Sequence, residues 1–80
     1  MKNSLVKTVS ISLKTSADVK NFVNVIAKYP YDIDLRSGRY TVDAKSILGI
    51  FSLDLSKPIE MDVMSADCDD IIAELKSFLL

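Results

Sequence analysis

The sequence predicts an α+β open-faced sandwich, a four-stranded antiparallel sheet with three helices on one face, in the order β-α-β-β-α-β-α. Three observations predict it. Apolar residues alternate with polar ones in four stretches and recur at helical spacing in three others. Each alternating stretch is apolar on one side only, as in an antiparallel sheet with one solvated face. No linker, repeat or low-complexity segment divides the 80 residues, so the chain reads as a single domain over 1–80 with one small core.

The elements follow in order. Leu5, Val9, Ile11 and Leu13 fall on odd positions and read as a half-buried strand with one lapse at Lys7. Thr15 or Ser16 can cap the helix that follows, and Asp18 adds negative charge to its first turn. Val19, Phe22, Val23, Ile26 and Ala27 make one buried stripe, and Pro30 ends the helix near Tyr29. Tyr31, Ile33 and Leu35, then Tyr40, Val42 and Ala44, alternate with polar residues around Ser37-Gly38, which predicts an antiparallel hairpin. A short helix over 46–53 comes next. Pro58 sits at the mouth of a strand carrying Ile59, Met61 and Val63. The last helix has Asp67 as its expected N-cap and Cys68, Ile71, Ile72, Leu75, Phe78 and Leu79 on its apolar face.

Composition removes several function classes. A net charge of −1 carries no basic excess, so direct nucleic-acid binding is not expected. No apolar run approaches ~18 residues, so no membrane segment is expected. Cys68 is the only cysteine and there is no histidine, so no disulfide, metal site or other cofactor is expected. A lone thiol points to a reducing compartment, and the protein reads as cytoplasmic. With no glycine-rich loop or catalytic triad, it does not read as an enzyme.

One run is specific. Thr41-Val42-Asp43-Ala44-Lys45-Ser46-Ile47-Leu48-Gly49-Ile50-Phe51-Ser52-Leu53 resembles the regulatory segment of HPr, the small phosphocarrier family of the bacterial sugar phosphotransferase system. That family shows Lys-Ser-Ile/Leu-hydrophobic-Gly there, followed by Ser-Leu. The element order and Lys28-Tyr29 at the end of the first helix extend the resemblance over the chain. The departure lies at the carrier site, which in the family reads Gly-hydrophobic-His-Ala-Arg-Pro. Its histidine takes the phosphate, and its arginine and helix amides help hold it. Counting back without gaps from Ser46 puts Thr15 at the histidine position and Ala17 at the arginine position. Matching Leu13-Lys14-Thr15 to a similar run in some relatives implies a shortened loop instead. Both alignments leave the site without an imidazole and without a nearby arginine.

That difference bears on the chemistry. Imidazole is substantially unprotonated near neutral pH, so it can accept phosphate and remain a good donor. A threonine hydroxyl is a poor nucleophile without a base, and its phosphoester is too stable to pass on. The resemblance therefore implies a histidine-less member, similar to the catabolite-repression HPr-like proteins. Such a member keeps the serine helix and acts in carbon catabolite regulation.

Two groups of residues become candidates. Ser46 is a candidate phosphorylation site, where a phosphate would face free helix amides; the alternative is a plain N-cap. Helical spacing separates Ile47, Leu48 and Phe51 from Ile50 and Leu53. Ile50 and Leu53 are expected in the core. Ile47, Leu48 and Phe51 are expected to form an exposed patch for a protein partner: a transcription regulator, a kinase or a metabolic enzyme. Thr15, Ser16, Ala17 and Asp18 form the degenerate carrier site, read either as ordinary helix-start residues or as a residual anion pocket. Asp32, Asp34, Asp43, Glu60 and Asp62 are expected on the solvated sheet face, and Cys68 in the core. Three functions stay open: a regulatory protein switched at Ser46, a diverged binding module without a switch, and a residual component with a hydroxyl acceptor at Thr15 or Ser16.

Overall fold

The computed structural model describes residues 6–65 and 67–80; the strand position expected at Leu5 lies outside them. The elements are β1 (Lys7–Ile11), α1 (Ser16–Ile26), β2 (Ile33–Ser37), β3 (Tyr40–Asp43), α2 (Ile47–Phe51), β4 (Ile59–Val63) and α3 (Asp69–Glu74), with a 3-10 turn over Lys76–Phe78. The strands form one antiparallel sheet in the order β1-β4-β2-β3, and the three helices cover one face. The expected fold class is the one observed.

Alternation places each strand. Val9, Met61, Leu35 and Val42 are partners across the sheet, and this row runs under the helices. Ile11, Leu13, Ile33, Leu35, Ile59, Met61 and Val63 are buried from the sheet and its extension. Val19, Phe22 and Ile26 meet them from α1, Ile50 from α2, and Ile71 from α3. Burying a side chain of this size contributes about 1.5–3 kcal/mol, so this row of contacts is what keeps the layers together.

Several local expectations are corrected. Ala27 is exposed because it caps α1, and the i−3 bonds of Lys28 (3.2 Å) and Tyr29 (3.1 Å) tighten the chain toward Pro30. Gly38 at φ 60° and Arg39 form the hairpin turn, so Arg39 lies outside β3. The N-cap of α3 is Cys68, not Asp67, and no side chain caps it. The Asp67 carbonyl instead accepts from the Tyr31 hydroxyl at 3.1 Å. α3 stops at Glu74, because the chain tightens into the 3-10 turn and then pairs with β1 through Ile11 and Leu79. The Leu80 N–H donates to Ser10 O at 3.0 Å in that pairing.

The acidic sheet face is also not uniformly solvated. Asp62 is only 9% exposed, because Thr8 and Arg36 flank it from β1 and β2. Asp34 and Glu60 are half-buried, whereas Asp32 and Asp43 are exposed. Cys68 is buried, and burial pushes its thiol pKa up, which makes the thiol unreactive.

Candidate functional site

The short helix α2 is built by its flanks. Asp43 ends β3, and its carboxylate accepts from the Lys45 N–H at 2.8 Å while its carbonyl accepts from the Ser46 N–H at 3.0 Å. These two bonds turn the chain through buried Ala44, whose N–H donates to Ile33 O at 2.9 Å. Ser46 then takes an extended conformation (φ −98°, ψ 104°), and its Oγ accepts from the Gly49 N–H at 3.2 Å. The Lys45 ammonium reaches back to Tyr29 O at 2.8 Å and so ties the end of α1 to the start of α2. A cation at a helix C-terminus also complements the helix dipole.

The next residues set the depth of the helix. Gly49 lies against β3: a Cβ there would stand 3.3 Å from Val42 Cβ and 3.3 Å from Ser46 Oγ. That close approach buries Ile50, with Leu53 only 6% exposed, as expected. Leu48 is 80% exposed and Phe51 42%. Ile47 departs from the expectation: it is half-buried and packs on the core. A helix resting so close to β3 cannot hold all three of these residues clear of the sheet. The exposed apolar surface is therefore Leu48 and Phe51, with Ile47 at its border and exposed Ser46 at its tip.

The start of α1 is closed by a capping box. Thr15 Oγ1 accepts from the Asp18 N–H at 3.1 Å. The Asp18 carboxylate accepts from the Lys14 N–H at 3.0 Å and the Thr15 N–H at 3.3 Å. Ser16 and Ala17 are exposed. The Asp18 carboxylate thus binds the two amides that lead into the helix and places a negative charge at its start, which disfavours an anion there. Asp18 also bonds these amides rather than the Thr15 hydroxyl, so it is not placed as a base for that hydroxyl.

Among the described residues no group of three potential ligands could hold a metal ion. Sequence reasoning missed one further constellation. The β2–β3 turn and the loop before β4 place Arg39, Tyr40 and Lys57 around one cleft. Lys57 is distant in sequence from the adjacent Arg39 and Tyr40 and shares no periodicity with them, so no local signal marks the group.

Comparison with known proteins agrees with this architecture. The family model described as "PTS HPr component phosphorylation site" matches residues 7–79. HPr-C-His from Thermoanaerobacter tengcongensis superposes with a TM-score of 0.74 at 27% identity, covering 89% of this chain and 88% of that one. The phosphocarrier protein HPr of Bacillus anthracis strain Ames gives 0.66 at 27% identity, covering 95% and 96%. The histidine-containing phosphocarrier protein of Mycoplasma shares the fold, with a TM-score of 0.69 at 16% identity and coverage of 90% and 88%. No curated protein matches the chain in sequence. No helix among the described residues is long and apolar enough to cross a membrane.

Proposed function

The chain belongs to the HPr family, and we propose that it is a non-catalytic regulatory member that binds a protein partner through α2. One observation carries the reading: a family whose carriers use a histidine is represented here by a sequence without one. At Thr15, the ungapped match to the histidine position, the hydroxyl is an element of a helix cap. Ser46 stands at the other helix start, beside exposed Leu48 and Phe51. In this reading the two apolar side chains fill a cleft on the partner, with Ile47 at the rim, and a phosphate on Ser46 gates the contact. A phosphoserine brings about −1.5 to −2 charges at neutral pH, enough to favour a partner that presents arginine and to repel one that presents carboxylates. Residues 1–80 act as one HPr-like domain in the cytoplasm, with a transcription regulator, kinase or metabolic enzyme as partner.

The test is phosphorylation by an HPr kinase with ATP, read by intact mass and peptide mapping. The expected result is one phosphoryl group at Ser46 and none in Ser46→Ala. Absence of the gain with a cognate kinase removes the switch. It leaves the second reading, a binding module whose Ser46 is only a cap, which the complete Ser46–Gly49 bond favours. Under that reading Ser46→Ala costs ~0.5–2 kcal/mol of stability and changes no interaction.

A further inference from the structure

A cleft of about 380 Å³ lies between the β2–β3 turn and the segment joining α2 to β4, lined among others by Arg39, Tyr40, Ser52, Leu53, Asp54 and Lys57. Pockets that hold small molecules span roughly 300–1,000 Å³. Gly38 at φ 60° turns the hairpin and sets Arg39 and Tyr40 at its rim. The Arg39 side chain makes no hydrogen bond or ion pair among the described residues. Lys57 has only a loose 3.8 Å contact with Asp54, both side chains being largely exposed. Asp54 is turned into its own loop, accepting from the Ser56 hydroxyl at 2.6 Å and the Ser56 N–H at 3.1 Å.

Arg39 and Lys57, from separate loops, line the same cleft, and the one ionic contact of the pair is the 3.8 Å approach of Lys57 to Asp54. Beside them, Tyr40 is 68% exposed and Leu53 forms an apolar floor. Val42, on the same side of β3 as Tyr40, lies under Gly49 of α2, so Tyr40 is the part of that face which the helix leaves uncovered. The Ser52 hydroxyl donates to Gly49 O at 2.6 Å, which leaves its oxygen free to accept.

We propose that this cleft binds a ring-bearing phosphate monoester of nucleoside-monophosphate size. Arg39 and Lys57 take the phosphate, the arginine by its planar fork of donors. Tyr40 covers the ring, and Ser52 accepts from a ligand hydroxyl. The site is independent of the Ser46 surface and of any switch there.

The test is an amide chemical-shift titration of the full chain with AMP, ribose 5-phosphate, adenosine and inorganic phosphate. AMP is expected to give saturable shifts at amides 37–40 and 52–57. Adenosine and inorganic phosphate are expected to bind more weakly than AMP. Arg39→Ala/Lys57→Ala should weaken AMP binding by about tenfold or more, two charge-assisted contacts being lost. Ribose 5-phosphate binding as well as AMP supports the proposal and assigns the sugar as the ring under Tyr40. Inorganic phosphate binding as well as AMP overturns it, since the cleft would then be an unspecific anion patch. Shifts that do not saturate, that map elsewhere or that survive in the double variant overturn it too.

Discussion

Asp62 is bonded by two neighbours on the outer face of the sheet. It accepts from Thr8 Oγ1 at 2.7 Å and from Arg36 Nε at 2.5 Å and Nη2 at 3.0 Å. The guanidinium, helped by Thr8, holds its carboxyl below the usual carboxylate range against the opposing effect of burial. Asp34, paired across the sheet with both Asp62 and Asp43, is shifted the other way, first by burial and then by those two charges. The signs of the two linkages are opposite. Asp62 contributes stability above its unfolded pKa, and this is lost as pH falls through its lowered folded value. Asp34 contributes stability below its unfolded pKa, and this is lost as pH rises through its raised folded value. Asp34→Asn should therefore raise the urea midpoint at neutral pH, with the gain closing on acidification. Arg36→Met should lower stability at neutral pH, because it leaves the buried Asp62 carboxylate with Thr8 as its remaining side-chain partner. Urea unfolding of both variants at neutral and acid pH checks the pair. Alternation alone placed all five acids of this face in solvent, and only the strand order, which brings Thr8 and Arg36 to either side of Asp62, shows why one is buried.

Among the elements, α2 shows best how backbone approach and surface chemistry are coupled. A glycine inside a helix ordinarily costs about 1 kcal/mol relative to alanine. Here the added Cβ would press on Val42 Cβ, which is fixed to its strand, and on the Ser46 oxygen that caps the helix. Gly49→Ala is therefore expected to lower stability despite alanine's better helix propensity, and to move the Ser46 amide signal; thermal unfolding and an amide spectrum read both. At α1, Thr15→Ala should cost ~0.5–2 kcal/mol by opening the capping box. The starts of α1 and α2 were legible because Thr15 and Ser46 are good caps placed just before apolar runs. The boundaries of α3 were not. Asp67 is an equally good cap by type, but its carbonyl is bound to Tyr31, from a distant part of the chain. The apolar spacing from Ile71 to Leu79 likewise suits a continuous helix, yet pairing of Leu79 with Ile11 ends it early.

Over the whole molecule, contacts between elements far apart in sequence hold the helical layer together. Phe22 of α1 meets Phe78 edge-on, with ring centroids 5.8 Å apart at 82°. Tyr29 and Tyr31 stack at 6.1 Å and donate to Glu74 and Asp70 of α3, and Lys28 adds an ion pair to Glu74. The hydrogen bond to Glu74 is the main cause that pushes the Tyr29 pKa up to about 12. Phe22→Ala, in the fully buried layer, should destabilise by about 3–5 kcal/mol. Leu48→Ser, on the open side of α2, should change stability by no more than about 0.5 kcal/mol while weakening partner binding. Denaturation of the two variants separates the core from the proposed surface. By itself the sequence determined the element order, the buried face of most elements and the absence of any histidine. Those properties follow from local periodicity, capping chemistry and residue identity. Tertiary structure alone decided the strand order β1-β4-β2-β3, the burial of Asp62, the half-burial of Ile47 and the cleft at Arg39 and Lys57. Each of these depends on which distant segment lies alongside, and neither side-chain spacing nor propensity carries that information.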